Sequence, residues 1–289
     1  MKSIFFIRLV IVIVSFAIPN ALAIDTIKLL KPFAENDKRS QHKNEVILKA
    51  LEITETEFGP FHFEYVDINM TPSRALISLK EGQLINTYIG PDTQSWENSV
   101  ITIKIPIRLG LLSYRLLLIH KSNLPLFASV NNKEALSELN AGLQYDWVTT
   151  TVFKENSMKF TTSHKFDSLF EMLKQTRFDY IPRAVYEIYD ELNMRKSTLA
   201  DIIIEPTLAL HIPMATYVYV SPQETRLAKR IELGLHKLIA NGDIKKILDK
   251  YYAKDISRAN LKQRQIIHIS NPSYNDKDII KYKDVWREY

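Results

Sequence analysis

Two long apolar segments, each broken by a proline, constrain this chain more than any other feature. The first, ITIKIPIRLGLLSYRLLLI over residues 101–119, is almost continuously hydrophobic and is interrupted at Pro106 and Gly110. The second, TLALHIPMATYVYVS over residues 207–221, mirrors it, with Pro213 in its middle. A proline donates no ladder hydrogen bond, so neither run reads as one uninterrupted interior strand. Each reads as an extended passage that leaves one packed region and enters another. What lies between two such passages is expected to be a separate α/β unit.

The segments around them fit that division. Before the first passage, Ile24–Leu30, FHFEYVDI and INTYIGP have strand character. HKNEVILKALEI and TPSRALISLKEGQ have helical spacing, the latter with Thr71 as N-cap, Pro72 at the first helical position and Gly82 as its stop. Strand, helix, strand, helix, strand argues for a mostly parallel sheet covered by helices. Between the passages come NKEALSELNAGL, the strand-like WVTTTVF, the helix FDSLFEMLKQ, then RFDYIPRAVYEIYDEL and ADIIIEP. After the second passage, TRLAKRIELGLHKLIANGDIKKILDKYY is helical, with Leu227, Ile231, Leu235 and Leu238 on one face and Gly242 ending the first piece.

The expected fold class is therefore α/β, two lobes joined by a two-segment hinge. Residues 24–115 with 216–252 are expected to form one lobe, 116–215 the other, and 253–289 an extension packing on a lobe, because Ile266, Ile267 and Ile269 call for burial. A partner-binding tail is the alternative for that extension. Ligands collect at the carboxyl ends of strands and between domains, so the cleft between the lobes is the expected site.

Composition narrows the partners. The chain has 289 residues and no cysteine, which excludes disulfides and thiolate chemistry. Its formal charge is +5, and Lys2 and Arg8 in the first 23 residues account for two of these, leaving +3. Basic stretches such as KKILDKYYAK alternate with acids and read as solvated helix faces, so a nucleic-acid partner is not expected. The first 23 residues read as a secretory signal cleaved after Ala23: Lys2, an apolar run from Leu9 to Ile18, Pro19, and Ala21-Leu22-Ala23. An uncleaved anchor is the alternative, since Arg8 interrupts the apolar stretch. A periplasmic location follows from the cleaved reading.

TPSRALISLKEGQLINTYIGP, the Pro106 crossing and RLAKRIELGLHKLIANGDIKKILDKYY together resemble family 3 extracellular solute-binding proteins, the periplasmic amino-acid-binding type, over about residues 24–252. IPIRLGLLSYRLLLI, FDSLFEML, RFDYIPRAVYEIYDEL and the tail with RQIIHISNPSY and Trp286 resemble a divergent branch of that family. The resemblance implies capture of a small solute by hinge closure, with an inner-membrane ABC permease or a sensor as partner, no cofactor, and a monomer. It also implies a carboxylate-binding arginine shortly before the first crossing and an amine-binding aspartate at the end of a second-lobe strand. Here DTQSWENSVITIKIP offers Trp96 and Glu97 instead, and Pro182-Arg183 stands at the second place. Ordinary amino-acid capture is therefore not carried over, and a polar or anionic solute is the expectation.

Six residues are the ligand-binding candidates. In RFDYIPRAVYEIYDEL the strand-like run Phe178–Ile181 is expected to feed directly into a helix with Pro182-Arg183 in its first turn, so Arg183 at that junction offers a bidentate grip on a carboxylate or phosphate; pairing with Asp179 or Glu187 is the alternative. Arg108, just after Pro106, faces either the cleft or a hinge salt bridge. Phe33, Trp96, Tyr145 and Trp147 lie in loops that line the pocket in the family, with core packing as the alternative for each. Glu187 and Glu191 stack four apart on what reads as a solvated face. The seven histidines form no i,i+4 pair and no HExxH run, and no GxSxG or Gly-rich phosphate loop occurs, so neither a metal site nor catalysis is expected. An exported enzyme on the same scaffold, or a relative acting through protein contacts, are the other readings.

Overall fold

The computed structural model describes residues 24–32, 37–68, 70–93, 96, 98–274, 282, 286, 287 and 289. Phe33, Glu97 and residues 1–23, where the signal is expected, lie outside them.

Strand β1 (Asp25–Leu30) pairs in parallel with β2 (Phe61–Val66), with Asp25 opposite Phe61. Helix α1 (Lys38–Glu52) connects them, with a short helix α2 (Glu55–Phe58) after it. Asp37 caps α1 by accepting from the Arg39 N–H at 3.1 Å, and Val46, Ile47, Ala50 and Leu51 form its buried stripe. In α3 (Pro72–Glu81), Thr71 accepts from the Arg74 N–H, Pro72 opens the first turn and Gly82 ends it at φ 65°. Strand β3 (Thr87–Pro91) does not extend the parallel pair, against the sequence expectation. It lies antiparallel to β11 (Thr216–Val220), whose other edge takes β4 (Ile101–Ile103). Asn86 replaces the missing ladder: its Oδ1 accepts from the Lys28 N–H at 2.8 Å and its Nδ2 donates to the Thr26 carbonyl at 2.7 Å.

The second sheet has seven strands, in the order β12-β10-β5-β8-β6-β7, with β9 also on β5. These are β5 (Tyr114–His120), β6 (Ala141–Gln144), β7 (Phe160–Ser163), β8 (Tyr180–Ala184), β9 (Ile202–Ile204), β10 (Leu208–His211) and β12 (Gln265–His268). Helices α4 (Leu124–Phe127), α5 (Lys133–Ser137), α6 (Val148–Glu155), α7 (Phe166–Lys174) and α8 (Val185–Met194) connect them. The two long helices α9 (Thr225–Ala240) and α10 (Asp243–Ala259) follow β11. Helix α9 crosses α1 so closely that a Cβ on Gly234 would sit 2.2 Å from the Ala50 carbonyl oxygen. Among the described residues no helix is long and apolar enough to cross a membrane.

The two apolar segments behave as passages. The first leaves β4, turns at Gly110 with φ 84°, and becomes β5; the second leaves β10 and becomes β11 across Pro213. A third link runs from α10 to β12, which pairs in parallel with β10. Residue 115 therefore lies inside β5, and residue 253 inside α10.

Two local expectations are corrected. WVTTTVF is helix α6, because Thr149, Val152 and Phe153 bury at helical spacing and packing outweighs the strand preference of β-branched residues. Pro182 and Arg183 are not the first helical turn but part of β8, opposite Leu117 and Leu116 of β5. The proline is tolerated because β6 pairs with β8 only at Tyr180, so no β6 carbonyl lies opposite the missing N–H.

Candidate ligand cleft

Four pieces of chain converge where the first passage runs between the two sheet systems: the start of α1, the turn after Pro106, the β8–α8 junction and the turn before α6. Arg108, Arg183 and Glu191 are buried there, and Asp37, Arg39, Lys43 and Glu187 are partly buried around them.

Arg183 is 5% exposed and already holds a carboxylate. Its Nε and Nη2 donate to the two Glu191 oxygens, each at 2.6 Å, and Nη2 also lies 2.9 Å from Glu187 Oε2. Its guanidinium stacks 4.4 Å from the Trp147 ring centre and 5.1 Å from that of Phe166. Burial opposes its charge, and the two glutamates more than offset this, raising its pKa. Glu187 accepts from the Ala184 N–H at 3.3 Å, so the free N–H at the head of α8 is met from within the same helix. Burial would lift the Glu187 carboxyl, but Arg183, Arg39 and Arg115 hold it below the usual range. The expected solvated face is thus corrected: Glu191 is 2% exposed, because Arg183 draws both glutamates inward.

Helix α1 meets α8 from the other side. Arg39 Nη1 lies 3.4 Å from Glu191 Oε1 and its Nε donates to Asp37 at 3.0 Å. Lys38 pairs with Asp190 at 3.0 Å and approaches Asp255 at 3.6 Å. Arg108, 3% exposed, donates from Nη1 to Thr216 Oγ1 at 3.3 Å and from Nη2 to the Arg39 carbonyl at 3.2 Å, while its guanidinium sits 4.5 Å over Tyr186. Arg115 donates from Nη2 to the Met214 sulfur at 3.4 Å. Within the described residues the Nε atoms of Arg108 and Arg115 meet no acceptor, and neither ring nitrogen of His42 has a partner. His42 is wedged between Tyr251 and Tyr252, and burial together with Arg108 and Lys43 keeps it neutral, well below 6.5. Lys43 donates to the Ile89 carbonyl at 3.0 Å. Burial, Arg108 and Arg39 push its pKa down to about 7.

The balance of charge is uneven. Among the described residues, Arg39, Arg108, Arg115, Arg183 and Lys43 face Asp37, Glu187 and Glu191, whereas Lys38 and Arg258 are matched by Asp190 and Asp255. An anion is the species such a surplus stabilises.

Of the six candidates, Arg183 and Trp147 are in direct contact, and Arg108 joins them through Tyr186 and the Arg39 backbone. Trp96 is 5% exposed and packs between Tyr88 and Tyr219, with ring centres 4.9 and 4.8 Å away, in a small cluster with Ala75 and Leu79. Tyr145 is 63% exposed and stacks on His164 at 4.8 Å. The turn that carries it does face β3: burial and Asp146 push the Tyr88 phenol up to about 12. Arg39, His42 and Lys43 carry no signal in the sequence, since one turn of an amphipathic helix looks alike whether solvated or buried. The spacing of Glu187 and Glu191 is the one available signal: a step of four puts both on one line of α8, facing the strand end that carries Arg183.

No protein-family model matches the sequence, and no curated protein does. Solved structures do. An ancestral arginine-binding protein bound to arginine is 17% identical, with a TM-score of 0.55 over 78% of this chain and 98% of that one. The GluR0 ligand-binding core in complex with L-glutamate is 12% identical, with a TM-score of 0.56 over 80% and 99%. An amino-acid ABC transporter substrate-binding protein from Streptococcus pneumoniae, bound to L-arginine, is 15% identical, with a TM-score of 0.52 over 73% and 82%. At this identity the likeness speaks to architecture. The chain has the two-lobed, mixed α/β fold of periplasmic binding proteins.

Proposed function

We propose that the protein is an exported solute-binding protein whose lobes close over a small polar or anionic solute, for ABC-type uptake or for sensing. One lobe comprises β1–β4 with β11, α9 and α10, and the other the seven-stranded sheet; Trp147, Arg108 and Arg183 lie where they meet. The observation that carries the anionic reading is the surplus of cations among the described residues, in which the buried Nε atoms of Arg108 and Arg115 meet no acceptor and burial, with Arg108 and Arg39, pushes Lys43 down to about 7. Solute binding would shift an open–closed equilibrium, and the closed face is what a permease or sensor would read. The structural neighbours named above bind amino acids. Lacking the arginine and aspartate that family resemblance calls for, this chain is assigned a different solute.

The test is thermal-shift screening of the chain from Ile24 against organic acids, phosphate esters, amino acids, peptides and sugars. A hit at a hundredfold excess over its Kd adds about 2.7 kcal/mol of stability. Acids are expected to shift the midpoint and Arg108→Gln to abolish the shift; hits confined to sugars or cationic amino acids would overturn the anionic assignment. One observation favours a second reading, a relative acting through protein contacts: the Arg183 grip is already filled by Glu191. A screen with no hits at all would select it.

A further inference from the structure

We propose that His211 and His268 form a surface chelate for a divalent transition-metal ion of the zinc, copper or nickel class. The two residues are separated by 57 positions, which is why spacing along the chain shows nothing. They come together because β10 and β12 pair in parallel with His211 directly opposite His268, and directly opposed residues of neighbouring strands project on the same face. Their Nδ1 atoms are 3.3 Å apart and their ring centres 5.2 Å. Two imidazole nitrogens bound at about 2.05 Å with a near-tetrahedral angle lie about 3.3 Å from each other. The bite of the pair is therefore set before any ion arrives.

The surroundings suit a ligand pair. On one flank the Tyr114 ring packs on His211 at 4.9 Å and fixes its plane. On the other flank β12 is the sheet edge and His268 is exposed, which gives an ion access. Without metal, the 3.3 Å contact is a hydrogen bond in which one ring carries Nδ1–H and the other accepts. Metal binding needs the lone pair of both Nδ1 atoms, so the donor ring moves its proton to Nε2; the pair releases no net proton. Among the described residues no group of three metal-ligating side chains occurs, so water completes the coordination and copper should bind more tightly than nickel or zinc. This site does not depend on the proposed solute cleft.

The experiment is titration of metal-free protein from Ile24 with zinc and copper chlorides, with copper EPR as a second readout. One equivalent should bind saturably, the EPR spectrum should show two equatorial imidazole nitrogens, and His268→Ala should weaken binding at least about tenfold while leaving the far-UV spectrum unchanged. His268 is chosen because its exposure makes the variant safe for folding. No stoichiometric binding, or binding that survives His268→Ala through the other histidines, would overturn the proposal.

Discussion

Arg183 and Glu191, eight residues apart, meet side by side through two 2.6 Å hydrogen bonds, one from Nε and one from Nη2, in a site almost closed to water. The strand end points the arginine across the first two turns of α8, and the helix returns a carboxylate to meet it. Removing one member of such a pair leaves the other buried without its partner, at a cost of about 3–5 kcal/mol. Glu191→Ala should therefore lower unfolding free energy in urea by about that amount. The double variant Arg183→Met with Glu191→Leu should lose much less, since no charge is stranded. If Glu191→Ala costs under about 1 kcal/mol, the pair is solvated and the closed junction is wrong.

Lys43 gives a pH test of the cation surplus. Its folded pKa is about 7, against 10.5 for the free side chain. Between these values the unfolded chain holds a proton that the folded chain lacks, so the lysine destabilises the fold increasingly as pH falls from about 10.5 to about 7. Lys43→Met should stabilise the protein, more at pH 7 than at pH 10. Equal gains at the two pH values would mean that Lys43 stays charged and the surrounding arginines are screened. An anion bound beside Lys43 should also raise its pKa and draw in a proton, which calorimetry at pH 8 in buffers of different ionisation enthalpy would read.

His42 acts in the neighbouring window. It is neutral in the fold, with a pKa depressed by burial and by Arg108, whereas the unfolded chain protonates near 6.5. Stability is thus lost as pH drops below about 6.5, where the unfolded state binds the extra proton. Glu187 adds a second loss at lower pH: its carboxylate is held down by Arg183 despite burial, so its contribution is present above about 4.5 and disappears as it protonates. Thermal midpoints of His42→Phe should fall less between pH 7 and 5.5 than those of the parent, the remaining decline coming from His211, which burial also keeps neutral. A parallel decline in both would remove His42 from the explanation.

What the sequence made legible, and what it hid, divides along physical lines. The passages at Pro106 and Pro213 were readable because proline and hydrophobic continuity are properties of one chain segment. Trp96 was not placed, because an aromatic in a loop packs equally well against Tyr88 and Tyr219 or over a solute, and only tertiary context decides. Pro182 misled for a related reason: whether a proline may sit in a strand depends on where the neighbouring strand stops. The glutamates of α8 looked solvated because nothing local to YEIYDEL shows Arg39 arriving from a helix about 150 residues away. Charge pairs between distant segments, like the histidine pair on β10 and β12, are invisible to periodicity.

The contacts between α1 and α8 make a last prediction, about motion. Two ion pairs tie the helices, but they are unequal. Lys38 and Asp190 are both partly exposed, and such pairs contribute about 0–1 kcal/mol and weaken as salt screens them. Arg39 instead reaches Glu191, which is buried and shared with Arg183. Each 1.4 kcal/mol removed from the closed form multiplies the open fraction about tenfold. In small-angle X-ray scattering, Arg39→Ala should therefore enlarge the radius of gyration at any salt concentration. Lys38→Ala should do so more weakly and mostly at low ionic strength, since the buried Asp255 that Lys38 also approaches keeps Arg258 as its partner. The reverse order, or no change with Arg39→Ala, would mean that apolar packing around Tyr186 and Tyr252 holds the junction and the ion pairs merely decorate it.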